Sequence, residues 1–131
     1  MNIEEVMQLI PAEVLTSGPT LSTIEIVGVC GADLMSDVLV FGREHMLLLT
    51  GLTSPQVVRS AEVAGLAGIV FVRGKRPGPE VIRLAESLAI PLLATDLPMY
   101  ETCGVLYGAG LPGTGKRPAA TGAELGREPY K

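Results

Sequence analysis

Three short apolar runs, Met46 to Thr50 (MLLLT), Gly68 to Val72 (GIVFV) and Pro91 to Ala94 (PLLA), recur along the chain with a helix-length segment between each. A strand apolar on both faces belongs in a parallel sheet covered by helices. The intervening segments supply those helices. Ser54 before Pro55 reads as an N-cap followed by proline at the first helical position. Val57, Val58, Ala61 and Ala64 then form an inner stripe that ends at Gly65. Pro79 opens the next helix, with Val81, Leu84, Ala85 and Leu88 inside. Asp96 reads as the N-cap of a last helix with Met99, Cys103, Leu106 and Tyr107 on one face, frayed by Gly108 and Gly110. Upstream, Ile3, Val6, Met7 and Ile10 mark one face of a short helix that Pro11 stops. Glu13 to Leu15 is a candidate strand before a turn at Gly18 and Pro19, and Ile24 to Cys30 (IEIVGVC) is a buried strand. In the GADLMSDVLVF segment that follows, Asp33 or Ser36 caps a helical turn. Strands and helices alternating across short loops imply right-handed crossovers. The expected fold is a three-layer α/β domain with a mainly parallel sheet of about 4–5 strands and helices on both faces.

At 131 residues the chain suits one domain. Apolar residues make up 47% and charged residues 18%, which excludes disorder over most of its length. Aromatics are 4% with no tryptophan, so the core is aliphatic and single-stranded nucleic acid finds no stacking platform. The net charge of −4 also argues against a nucleic-acid partner. No apolar run approaches the roughly 18 residues of a membrane span. The N-terminal MNIEEV lacks the basic and apolar regions of a signal peptide. Cys30 and Cys103 are too few for a disulfide framework or a zinc site, and both lie on apolar faces. These features predict a reduced, cytoplasmic domain with no membrane or nucleic-acid partner. Residues 1–110 carry six Lys/Arg and twelve Asp/Glu, a net −6, whereas 111–131 carry four Lys/Arg and two Glu, a net +2. The latter stretch also holds seven Gly or Pro and little to bury, so it is expected to be a flexible tail.

Ligands of open parallel sheets favour the carboxyl ends of the strands. Three such ends are readable: Thr50-Gly51-Leu52-Thr53-Ser54, Arg73-Gly74-Lys75-Arg76 and Thr95-Asp96. Thr50, Gly51, Ser54, Arg73, Gly74, Lys75 and Thr95 are the candidate ligand-binding residues. Hydroxyls, glycine amides, helix N-termini and cations together suit a phosphate or carboxylate. Ser54 and Asp96 are equally explained as helix caps. The cluster Arg73, Lys75, Arg76 is less easily dismissed, because the body around it is acidic. Asp33 and Asp37, spaced i, i+4 with Ser36 between, form a secondary set suited to a metal or a ribose, or simply to the positive end of a helix. No metal, cofactor or catalytic residue is assigned. Gly110 to Lys116 (GLPGTGK) has phosphate-loop spacing, but Arg117 stands where Ser or Thr would bind magnesium and the run follows a helix. His45, the sole histidine, sits beside Glu44 in a loop, and nucleophilic catalysis would depend on it alone.

The stretch VRGKRPGPEVIRLAESLAIPLLATDLPMYETC (72–103) resembles the DRTGG domain, which is similar to the N-terminal domain of HPr kinase/phosphorylase and occurs inside some phosphotransacetylases and CBS-domain proteins. GADLMSDVLVF and LLLTGLTSPQVVRSAE also look like that family in its short stand-alone form, so the resemblance spans about residues 1–110. The namesake turn is degenerate: Gly51-Leu52-Thr53-Ser54 has no Asp or Arg, and no role of those charges carries over. The resemblance implies an HPr kinase N-terminal domain-like fold, no catalytic residues, and a regulatory or ligand-sensing role. A nucleotide-like ligand follows only by analogy with the CBS modules. The leading expectation is a regulatory domain that binds a small anion at the strand ends, as a homodimer or docked to a partner enzyme. The alternative is a protein-interaction or dimerisation module without a small-molecule site, suggested by a mean hydropathy of +0.40. An enzyme using Asp33, Asp37 or His45 ranks third.

Overall fold

The computed structural model describes residues 1–115. Most of the expected tail, including Lys116 and Arg117 of the phosphate-loop-like run, lies outside the described residues. Five strands form one sheet: β1 (Ala12–Val14), β2 (Gly28–Gly31), β3 (Met46–Thr50), β4 (Gly68–Phe71) and β5 (Leu92–Thr95). Their order is β1-β5-β4-β3-β2, parallel throughout except for β1, which pairs antiparallel with β5. The helices are α1 (Ile3–Leu9), α2 (Met35–Phe41), α3 (Pro55–Ala64), α4 (Pro79–Ser87) and α5 (Met99–Gly108). None of the described helices is long and apolar enough to cross a membrane.

The path of the chain explains the layers. From β2 to β5 each crossover moves one strand in the same direction, so right-handed connections leave α2, α3 and α4 on one face. Side chains alternate along each strand to match. Met46, Leu48, Ile69, Phe71 and Leu92 pack with Met35 and Val38 of α2, Val57, Val58 and Ala61 of α3, and Val81 and Ala85 of α4. Leu47, Leu49, Val70, Val72 and Leu93 face the other way. They pack with Ile3 and Val6 of α1 and Leu106 of α5. β3, β4 and β5 are buried at every position, as their unbroken apolar runs require.

Several local expectations change. The run from Ile24 to Cys30 is a strand only from Gly28. Its first half is tied to the N-terminus instead: Ile3 N donates to Ile24 O at 3.0 Å and Ile26 N to Met1 O at 2.8 Å. Neither Asp33 nor Ser36 caps α2, whose N-cap is Leu34 with no side-chain bond. Ser54 occupies the N-cap position of α3, but its hydroxyl does not bond there. Pro98, not Asp96, precedes α5 as N-cap. Tyr107 is 65% exposed and does not join the buried stripe of that helix. Beyond α5, Leu111 is buried and the Pro112 carbonyl accepts from Val29 N at 2.8 Å. Packed structure therefore continues past residue 110.

Candidate functional site

Two of the three expected strand ends meet at one pocket, and the third, Thr95-Asp96, does not line it. A pocket of about 230 Å³ opens at the carboxyl ends of β3 and β4, lined by Asp33, Gly51, Leu52, Val72, Arg73, Lys75 and Met99. Four of these, Asp33, Gly51, Arg73 and Lys75, are residues the sequence nominates. Because the strand order never reverses between β2 and β5, the parallel part of the sheet has no switch-point crevice. The pocket is correspondingly small beside the roughly 300–1,000 Å³ of ordinary ligand sites.

Two of its lining residues, Asp33 and Gly51, belong to a hydrogen-bonded junction between neighbouring strands. Thr50 is fully buried at the end of β3, and its hydroxyl donates to Asp33 Oδ1 at 3.0 Å. Gly51 N donates to the same oxygen at 2.7 Å, and Leu52 N donates to Thr50 Oγ1 at 3.1 Å. Asp33 is thus held by the turn after β3 rather than by the helix that follows it. Thr95 plays the matching part at the end of β5: it is buried, and its Oγ1 accepts from Leu97 N at 3.2 Å.

The basic loop is a tight turn. Arg73 and Gly74 both have left-handed backbones, with φ of 59° and 69°. Lys75 N donates back to Val72 O at 3.1 Å, which closes the turn. Arg73 N donates to Leu97 O at 2.8 Å and Gly74 N to Thr95 O at 2.9 Å. The glycine amides expected to face an anion, at Gly51 and Gly74, are therefore already donated inside the protein. What remains for a ligand is side-chain charge. Glycine is the natural occupant of such positions; a side chain there costs about 1 kcal/mol. Gly74 meets that requirement, and Arg73 does not.

The three cations of this loop divide. Arg76 pairs with Glu13 of the antiparallel β1, beside a separate open pocket lined by Pro11, Ala12, Ala94 and Asp96. Arg73 and Lys75 form no ion pair among the described residues and face the strand-end pocket. Ser54, Gly74, Thr50 and Thr95 do not line it. Asp37 lies exposed on α2, away from it. The sequence reading missed the apolar wall of Leu52, Val72 and Met99. Met99 reads as a core filler, and only the packing of α5 against the sheet brings it to the strand ends.

His45 is exposed in a left-handed loop (φ 68°), with Glu44 Oε2 4.0 Å away. Burial pushes the thiols of Cys30 and Cys103 above their ordinary range, the opposite of an activated thiolate. Among the described residues no three His, Cys, Asp or Glu side chains cluster to hold a metal ion.

The DRTGG domain family matches residues 5–109. No curated protein matches the chain. Among solved structures, it is similar to the CBS and DRTGG domains of the regulatory region of Clostridium perfringens pyrophosphatase, complexed with the activator diadenosine tetraphosphate. The TM-score is 0.62 at 15% identity, over 84% of this chain and 47% of that one. At that identity the likeness is one of fold. The chain spans about half the length of the regulatory region it matches.

Proposed function

This chain belongs to the DRTGG domain family, and on that premise we propose that it is a non-catalytic regulatory domain that senses a small anionic ligand at the carboxyl ends of β3 and β4. The observation that carries the reading is the pairing of Arg73 and Lys75. Both line one pocket, neither is neutralised by a described acid, and Arg73 holds an unfavourable backbone to be there. Side chains kept in sparsely populated conformations cluster at functional sites. Arg73 and Lys75 would hold phosphate or carboxylate oxygens by charge-assisted hydrogen bonds. The regulatory pyrophosphatase region of the same fold was solved with a nucleotide activator, which supports a sensing role for the family. The proposed setting is cytoplasmic, in keeping with two free cysteines.

The test is a thermal-shift screen against nucleotides, phosphorylated metabolites and carboxylates, repeated on Arg73→Asn and Lys75→Gln. A ligand that binds only the native state raises the melting temperature by mass action. A shift in the parent that both variants lose supports the anion site. A folded parent that responds to no compound overturns it.

A second reading has its own observation. The outer side of α2 exposes Leu39, Val40 and Phe41, Val40 at 71%, and Leu34 and Val63 nearby are also exposed. This surface suits a protein contact, as a homodimer or with a partner enzyme. Sedimentation of the parent and of Val40→Glu distinguishes this reading: a concentration-dependent dimer in the parent that the variant loses supports it, and a monomer at every concentration removes self-association.

A further inference from the structure

Asp33 gives the pocket a second, opposite character. A carboxylate in an anion site weakens binding of a bare dianion, so its presence needs a reason. Its Oδ1 is tied by Thr50 and Gly51, which fixes the plane of the group. Its Oδ2 accepts no hydrogen bond among the described residues. Arg73 and Lys75 line the same pocket, yet neither lies within 4.0 Å of Asp33 as an ion pair. The pocket therefore holds a fixed acceptor and two cations that do not neutralise each other, over an apolar wall of Leu52, Val72 and Met99. A ligand that satisfies all three carries an anionic group at one end, hydrogen-bond donors at the other and a compact carbon frame between. At about 230 Å³ the pocket lies below the roughly 300–1,000 Å³ of ordinary ligand sites, so the group it takes is compact, on the scale of a sugar phosphate.

We propose that this pocket recognises a ribose phosphate, free or as part of a nucleotide, with Arg73 and Lys75 on the phosphate and Asp33 Oδ2 accepting from the vicinal hydroxyls. The proposal rests on the anion-site reading above and adds Asp33 as its specificity-determining residue. Acidic side chains accept from ribose hydroxyls at other α/β sheet edges, for the same reason: a carboxylate offers two acceptor lone-pair directions to a diol.

The test is calorimetric titration of the full chain with inorganic phosphate, ribose 5-phosphate, AMP and 2′,3′-dideoxy-AMP, for the parent, Asp33→Asn and Arg73→Asn. Asparagine retains an oxygen to accept from Thr50 and Gly51, and melting temperatures confirm that each variant is folded. A hydroxylated ligand should bind the parent about tenfold or more tightly than inorganic phosphate and dideoxy-AMP. Asp33→Asn should erase that gap, weakening the hydroxylated ligand while leaving or improving phosphate. Ribose 5-phosphate equal to AMP identifies a free sugar phosphate, and AMP alone identifies a nucleotide whose base lies outside the pocket; both support the proposal. Equal binding of AMP and dideoxy-AMP, lost in Arg73→Asn and unchanged in Asp33→Asn, overturns the diol proposal and leaves the anion site standing. No binding of any probe by the folded parent overturns both.

Discussion

The Thr50 hydroxyl donates to Asp33 Oδ1 across the ends of two adjacent strands, with Thr50 fully buried and Asp33 at the surface. This bond links the turn after β2 to the end of β3, and it sets the orientation of the one acidic group among the described residues that line the strand-end pocket. Thr50 acts twice, because its oxygen also accepts from Leu52 N.

Thr50→Val retains the branched shape and removes the oxygen. Leu52 N loses its acceptor and Asp33 keeps only the Gly51 amide. The expected loss is about 1–2 kcal/mol, read as a lower urea midpoint at unchanged slope. A midpoint equal to the parent's would show that water replaces the hydroxyl without cost.

Arg73 and Gly74 share one turn and should respond oppositely. Arg73→Asn places a residue tolerant of the left-handed region at φ 59°, so stability should hold or rise by up to about 1 kcal/mol. Gly74→Ala puts a Cβ at φ 69° and 3.3 Å from Asp96 Oδ1, and should cost about 1 kcal/mol or more. Thermal melts of the two variants check the contrast. An Arg73→Asn protein clearly less stable than the parent would mean that the arginine is retained for folding rather than for binding.

The C-termini of α3 and α4 are built alike, with one difference. After α3, Gly65 is left-handed and Leu66 N donates to Ala61 O at 2.9 Å. After α4, Ala89 takes the same conformation (φ 56°) and Ile90 N donates to Ala85 O at 2.9 Å. Both are the reverse-turn cap that favours glycine. Ala89→Gly should therefore stabilise the protein by about 0.5–1 kcal/mol despite the extra freedom it gives the unfolded chain. The expected readout is a higher melting temperature.

Acid should loosen the segment around Ser17. The Ser17 amide (2.8 Å) and hydroxyl (3.0 Å) both donate to Glu86 Oε2, and these bonds hold the Glu86 carboxyl below its ordinary range. A lowered carboxyl contributes stability above its unfolded value and loses it as pH falls through the folded value. Ser17→Ala leaves only the amide as donor, so carbon-detected titration should place its Glu86 closer to the ordinary range. Identical Glu86 titrations in parent and variant would assign the shift to the backbone amide alone.

Much of the site is readable one loop at a time. Arg73, Lys75 and Gly51 are visible as the residues that follow apolar runs, and the turn at Gly74 announces itself. What single loops do not disclose is how they divide the work. Arg76 looks equivalent to its neighbours until β1 brings Glu13 against it, a contact spanning 63 residues. Asp33 looks like a helix cap because local spacing permits that role, whereas the bond it makes reaches 17 and 18 residues ahead.

The sequence alone determined the layered architecture. Burial of a strand on both faces, the helical stripes, and the Pro and Gly punctuation are local consequences of solvent and backbone sterics, and they survive without knowledge of neighbours. Tertiary structure decided the rest: the strand order, the antiparallel edge at β1, the truncation of β2, and which polar groups remain free for a ligand. Those depend on which distant hydrogen-bonding groups meet. A buried donor takes whichever acceptor the fold brings to it, and adjacency in the sequence has no claim on that choice.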